Sequence, residues 1–348
     1  MTIERKVGMG IAGQPSGGAT DVAEVFSTYL YTGNSGTNAI NNGIDLAGEG
    51  GMVWFKCRNV TNNHYIVDTE RGASKVLYGL GTAAETTSAN SVTSFNSNGF
   101  TLGADGTDGI NKNTRSQVSW AFRKKSRFFS CVTYSGNGTS QVISHGLDGP
   151  VGMIIVKSLT ESRGWNVYHK SLGTGKHLEL NLTDGENTGS VYITSVGNSS
   201  FTVGSAYDVN NNGQSYVAYL FADNSSEDAD DQMIECGSFV FGPTSNPAQR
   251  KLTLSWEPQF LLVKRTDGTG DWILMDTMRG LEATPSNGVR LRANLSNAED
   301  SGSLQFLSPT ELKLNLDAQG DYIYMAIRAP MMKEPEAATD VFAVNSRG

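Results

Sequence analysis

A short apolar run ending in lysine occurs three times in this chain of 348 residues, and the same polar positions follow it at the same distances each time. The runs are Val53-Trp54-Phe55-Lys56, Ile154-Ile155-Val156-Lys157 and Leu261-Leu262-Val263-Lys264. Eight residues beyond each lysine stand His64, Trp165 and Trp272; twelve beyond, Asp68, His169 and Asp276; sixteen beyond, Gly72, Gly173 and Gly280. The first and third copies share Asp-Thr-x-Arg-Gly, with Arg71 and Arg279, whereas the second reads His169-Lys170-Ser171-Leu172-Gly173. Self-similarity at a fixed period constrains the fold more than any local preference, because each copy must adopt the same structure.

The correspondence extends both ways from the lysine. Upstream, Tyr31-Thr32-Gly33-Asn34 matches Tyr134-Ser135-Gly136-Asn137, and Phe241-Gly242-Pro243 takes that place in the third copy. Downstream, each copy closes on Val118–Phe122, Val217–Phe221 or Ile323–Ile327. The unit is therefore close to a hundred residues, the size of one globular domain. The predicted organisation is an N-terminal arm 1–23, a first repeat 24–126, a second repeat 127–232 ending in an acidic linker, a third repeat 233–328, and a C-terminal arm 329–348.

Within a unit the hydrophobic period is two, as in Val191-Tyr192-Ile193-Thr194 and Leu312-Lys313-Leu314-Asn315-Leu316, so alternate side chains face one core. Asn-Gly pairs at Asn42, Asn98, Asn137, Asn212 and Asn287 supply hairpin turns. No capped amphipathic stretch of helical length occurs. The expected fold is all-β: three tandem antiparallel β-sandwiches, jelly-roll in kind, about seven strands each, with extended arms. A three-bladed propeller is the lesser alternative, since a blade takes only about 40–50 residues.

Composition bears on partners. Lys plus Arg is 27 against 35 for Asp plus Glu, a net charge of −8, and no basic stripe appears, so nucleic acid is not an expected partner. The cluster Arg123, Lys124, Lys125 and Arg127 reads as a solvated turn. Three widely spaced cysteines, Cys57, Cys131 and Cys236, form no disulfide framework or zinc pattern and are expected as buried thiols. The start of the chain has no apolar run of signal-peptide or membrane-span length, so synthesis in a cytoplasm and no membrane insertion are expected.

Candidate sites are few. The repeated positions Lys56, Lys157, Lys264, Asp68, His169, Asp276, Arg71, Arg279, Gly72, Gly173 and Gly280 read either as the frame of a sugar or peptide pocket or as structural devices. In the structural reading a lysine stem packs while its head meets water, and each arginine pairs with a carboxylate to hold a turn. The second copy's departure from Asp-Thr-x-Arg-Gly favours that reading. Trp165 and Trp272, flanked by Gly, Asp and Asn, are expected to be exposed and suited to stacking on a glycan. The loop Ala104–Gly109 offers Asp105 and Asp108 to calcium but lacks the distal glutamate of an EF-hand, and a plain turn is expected. None of the four histidines lies in a nucleophile elbow, no phosphate-binding loop occurs, and neither catalysis nor a cofactor is expected.

The run from Phe26 to Asn34, Val53 to Lys56, Asp68-Thr69-Glu70-Arg71-Gly72 and Phe95-Asn96-Ser97-Asn98-Gly99-Phe100 resembles a repeat-bearing family of tailed-bacteriophage proteins from marine phages, labelled tail fibre or structural protein. The resemblance covers about residues 20–340 and is strongest in the first and third units. It implies a virion component made of lectin-like sandwiches, with no catalytic residues to carry over. It further implies other virion proteins as partners, a homo-oligomer with a trimer favoured, and contact with host surface polysaccharide. Capsid decoration or head-fibre protein, and the carbohydrate-binding module of a depolymerase, are the alternatives. The arms, whose apolar residues have no core of their own, are the expected docking elements.

Overall fold

A computed structural model describes residues 21–105, 109–228, 231–280, 288–302 and 304–330. Most of both arms therefore lies outside the described residues. Over the described residues the chain is nearly all β, built as three tandem antiparallel sandwiches with nine strands each rather than seven. In the first unit the strands are β1 (Phe26–Thr32), β2 (Asn38–Asn41), β3 (Gly51–Cys57), β4 (His64–Asp68), β5 (Lys75–Tyr78), β6 (Thr86–Thr87), β7 (Val92–Asn96), β8 (Gly99–Leu102) and β9 (Ser116–Arg123). The second has β10 (Phe129–Ser135), β11 (Gln141–Ser144), β12 (Val151–Ser158), β13 (Trp165–His169), β14 (Lys176–Glu179), β15 (Asn187–Thr188), β16 (Ile193–Val196), β17 (Ser200–Val203) and β18 (Ser215–Ala222). The third has β19 (Ile234–Phe241), β20 (Lys251–Thr253), β21 (Pro258–Arg265), β22 (Trp272–Asp276), β23 (Val289–Arg292), β24 (Asp300–Ser301), β25 (Leu304–Ser308), β26 (Glu311–Leu314) and β27 (Gly320–Arg328). Among the described residues there is one α-helix, α1 (Tyr207–Asn210) in the second unit, a single turn long.

Each unit pairs a six-stranded sheet, β1-β9-β3-β4-β5-β6 in the first, with a three-stranded sheet, β2-β8-β7, and the other two units repeat both orders. Of the two extra strands in each unit, one is the two-residue β6, β15 or β24, too short to leave a periodic signature. Cross-strand register makes the repeat exact around the lysines: Lys56 lies opposite Val118, Lys157 opposite Val217 and Lys264 opposite Ile323. At the first strand, however, Tyr31 and Tyr134 correspond to Phe239 rather than Phe241. These three residues lie opposite Gln117, Tyr216 and Tyr322, which are themselves equivalent positions.

Every residue of β3 and β12 is buried, which a two-layer sandwich facing water cannot achieve. One face of each large sheet packs on its own small sheet. In the first unit Val53, Phe55, Val67, Val76 and Ala121 meet Ile40, Phe100 and Leu102 there. The opposite face meets the other units, so Trp54, Ile66, Trp120 and Phe122 join Ile155, Val167 and Tyr219 of the second unit and Leu262, Trp272 and Met325 of the third in one core. The apolar runs at the lysines are continuous rather than alternating because both faces of these strands are covered.

Phe122 sits where the three units meet, its ring 5.0 Å from Phe26, 5.6 Å from Phe129, 5.4 Å from Phe221 and 6.1 Å from Phe260. Truncation there removes contacts from all three units at once. Phe122→Ala should destabilise the protein by roughly 3–5 kcal/mol. Because the core is shared, the loss should appear as a shift of one cooperative transition, checked by coincident near- and far-ultraviolet dichroism during urea unfolding.

Candidate functional site

The repeated polar residues converge on the seams between units. The Lys56 ammonium donates to the Asn62 carbonyl at 2.6 Å and to that of Ser296, in the third unit, at 2.7 Å. Lys157 donates to Ser158 at 2.9 Å and to Thr82, in the first unit, at 3.1 Å; Lys264 donates to Gly270 at 2.7 Å and to Thr183, in the second unit, at 2.8 Å. All three lysines are fully buried. The expectation of a head in water is thus corrected: the neighbouring unit covers the strand end and offers carbonyl oxygens instead. Burial lowers each ammonium from its ordinary value to about 8, leaving it charged at neutral pH.

The loops that accept these ammonium groups repeat as well. The carbonyls of Ser296, Thr82 and Thr183 also accept the backbone N–H of Asn62, Arg163 and Gly270, each at 2.8 Å. Three residues on, Glu299, Glu85 and Glu186 donate their backbone N–H to Arg58, Leu159 and Thr266 at 2.8, 2.9 and 2.7 Å. Each unit therefore inserts one loop into the next, and the third inserts into the first, closing a ring. Sequence reasoning missed these loops. Their glutamates follow the lysines by 29, 29 and 35 residues, and the longer third spacing hides the match.

The residues eight beyond each lysine bond the same neighbour. His64 donates through Nε2 to the Arg292 carbonyl at 2.9 Å, Trp165 through Nε1 to Tyr78 at 3.3 Å and Gly81 at 3.2 Å, and Trp272 to Glu179 at 3.0 Å. Trp165 and Trp272 are buried, at 0% and 1% exposure, so they present no face to a glycan. Their Gly, Asp and Asn neighbours mark turns at a covered seam, not an open surface.

The residues twelve beyond reach the other way around the ring. Asp68 accepts from the Arg71 backbone at 2.9 Å, from Arg71 Nε at 2.5 Å and from the Tyr219 hydroxyl of the second unit at 2.7 Å. Asp276 accepts from the Arg279 backbone at 3.0 Å, from Arg279 Nε at 2.6 Å and from Trp120 Nε1 of the first unit at 2.9 Å. His169 faces the third unit, where Met325 stands in the place of Trp120 and Tyr219 and has no donor. There Nε2 donates to the Tyr324 carbonyl at 3.0 Å while Nδ1 accepts from Ser171 at 3.2 Å. The aspartates go with an arginine and a donor from the next unit; the histidine goes with neither. Gly72, Gly173 and Gly280 close these turns at φ of 95°, 75° and 107°, with open space where a Cβ would stand, so backbone conformation rather than packing calls for glycine.

The remaining candidates supply no cluster. Asp105 is buried, Asp108 lies outside the described residues, and among the described residues no group of three or more His, Cys, Asp or Glu is placed to hold a metal. All three thiols are buried and free. All four histidines are buried, and burial holds each imidazole below its ordinary pKa.

The fold and its seams define a class: a closed ring of three sandwiches in one chain, with polar side chains of each unit satisfied by its neighbours. The chain belongs to the family described as Domain of unknown function (DUF7483), whose model matches residues 21–330 and so spans all three sandwiches. Comparison with curated proteins finds no match.

Two predictions follow from the seam chemistry. His169→Asp alone places a carboxylate in a dry site without an arginine or a donor side chain from the next unit and should destabilise by about 3–5 kcal/mol. Adding Leu172→Arg and Met325→Tyr rebuilds the first unit's arrangement and should restore much of that loss, measured by urea unfolding of the single and triple variants. The second concerns acid. In His64, Nδ1 accepts from Trp54 at 2.8 Å and Nε2 donates, the same neutral tautomer as His169, and burial lowers the two to about 3 and about 4. Since an unfolded histidine titrates near ~6.5, their contribution is full above that pH and is lost as pH falls toward the folded values. Stability should drop between about pH 6.5 and about pH 4.5 by roughly 1.4 kcal/mol per pH unit for each histidine. His169→Gln, which keeps a donor and cannot protonate, should make that slope shallower by one proton.

Proposed function

We propose that this chain is a non-enzymatic structural protein of a bacteriophage virion, a tail-fibre or appendage component. The observation that carries the reading is that the polar constellation repeated in all three units is, among the described residues, engaged at the seams. Lys56, Lys157 and Lys264, the histidine or tryptophan that follows each, and Asp68, His169 and Asp276 all bond neighbouring units. Residues in such bonds hold a scaffold rigid and are withdrawn from chemistry on a substrate. The motif resemblance to phage structural proteins points the same way.

In this reading the virion neighbours bind the arms 1–23 and 329–348, and the sandwiches form the presented body. The ring of three units already gives a single chain a trimer-like shape, which suits a seat on an appendage of threefold symmetry. Immunogold labelling of intact particles, or mass spectrometry of purified tails and heads, should find the chain in the tail fraction. Recovery from heads alone would favour the decoration-protein alternative. Incubation of the purified protein with host polysaccharide should release no reducing ends; their release would overturn the non-enzymatic reading.

A further inference from the structure

The seam between the first and second units and the seam between the second and third each hold an open cavity, at equivalent positions. The one between the first and second units is about 370 Å³ and is lined by Glu70, Glu85, Arg71, Thr133, Ser135 and Ser215, among others. The one between the second and third units is about 380 Å³, and its lining includes Glu186, Asp267, Asp321, Lys176, Ser171 and Ser238. Strand register and lysine spacing align the two: Glu85 corresponds to Glu186, Thr133 to Ser238, Ser135 to Val240 and Ser215 to Asp321. At the third seam Arg58 stands where Leu159 and Thr266 stand in the others. Its guanidinium crosses the seam to Glu299 at 2.7 Å.

We infer that the two cavities are binding sites for a neutral saccharide of one or two rings. The volumes fall at the small end of the roughly 300–1,000 Å³ typical of ligand sites. Both walls mix carboxylates, which accept, with serine or threonine hydroxyls, which donate and accept, and that mixture matches the vicinal hydroxyls of a sugar. Glu70, Glu85, Glu186 and Asp267 are each paired with a cation, Lys124, Arg71, Lys176 and Arg265, so the walls carry little net charge and leave no unpaired cation in either lining for an anion. The first cavity's single cation, Arg71, is already bonded to Asp68 and Glu85. Phosphate, sulfate and uronic acids are therefore disfavoured. The equivalent aromatic residues of the two linings, Tyr134 and Phe239, stack on Tyr216 and Tyr322 of their own units at interplanar angles of 17° and 19° rather than standing free as sugar platforms, so each site binds weakly, with Kd on the order of 1 mM. Two sites on one rigid chain, multiplied by copies in an appendage, convert weak sites into firm attachment.

This inference rests on the reading of the chain as a surface-contacting virion protein, and its test is separate. Saturation-transfer NMR on the full chain would use glucose, galactose, maltose and lactose as probes, with glucuronate and glucosamine as charged arms. At least one neutral sugar should give signal, and glucuronate none. Ser135→Trp and Val240→Trp, at exposed equivalent positions on two edge strands, should each remove about half the signal and together abolish it. Thr32→Trp, the equivalent change at the third seam, should leave it intact. Thermal unfolding of each variant checks that the sandwiches remain folded. Absence of signal from every neutral sugar, signal from a charged sugar alone, or full signal in a folded double variant would overturn the inference. Those outcomes would leave the virion reading to stand or fall on where the chain is found in the particle.

Discussion

The rest of the structure depends on a polar problem created by burial. Covering the second face of each six-stranded sheet with neighbouring units places lysine, aspartate and histidine side chains beyond the reach of water. A buried ammonium without acceptors costs several kcal/mol. Two backbone carbonyls hold each of Lys56, Lys157 and Lys264 at its strand end, one of them always from another unit. The apolar core supplies the drive to bring the sandwiches together, but the carbonyl must arrive at the right place for that association to be tolerated. The loops at Thr82, Thr183 and Ser296 provide this, and they specify which unit sits beside which.

The second unit illustrates how such a site can diverge without losing its fold. Asp68 and Asp276 are each locked by an arginine and a donor from the next unit. His169 keeps the position but changes the chemistry, donating to a backbone carbonyl, which Met325 cannot remove. Leu172 in place of arginine is consistent with that change, because a neutral imidazole needs no counter-charge. Three side chains distant in sequence thus vary as one group. The same logic explains why Trp165 and Trp272 are interior: at a seam, an indole N–H that finds a carbonyl is worth more than one left in water.

Much of the fold was legible in the chain alone. Period-two alternation, Asn-Gly turns and the threefold lysine spacing are local properties, and they determined an all-β protein of three repeated units. They also marked the lysine, aspartate or histidine, and glycine positions as a set. What those residues touch across the seams was decided only by the tertiary structure, for a physical reason: each of those lysine, aspartate and histidine side chains has a partner in a different unit, as Ser296 lies 240 residues from Lys56 and Tyr219 lies 151 from Asp68. A sequence pattern reports periodicity within an element, whereas closing the ring sets contacts between elements. That closure turned a lysine expected in water into a buried one and two tryptophans expected at the surface into core. It also shaped equivalent cavities at the first two seams and set Arg58 across the third.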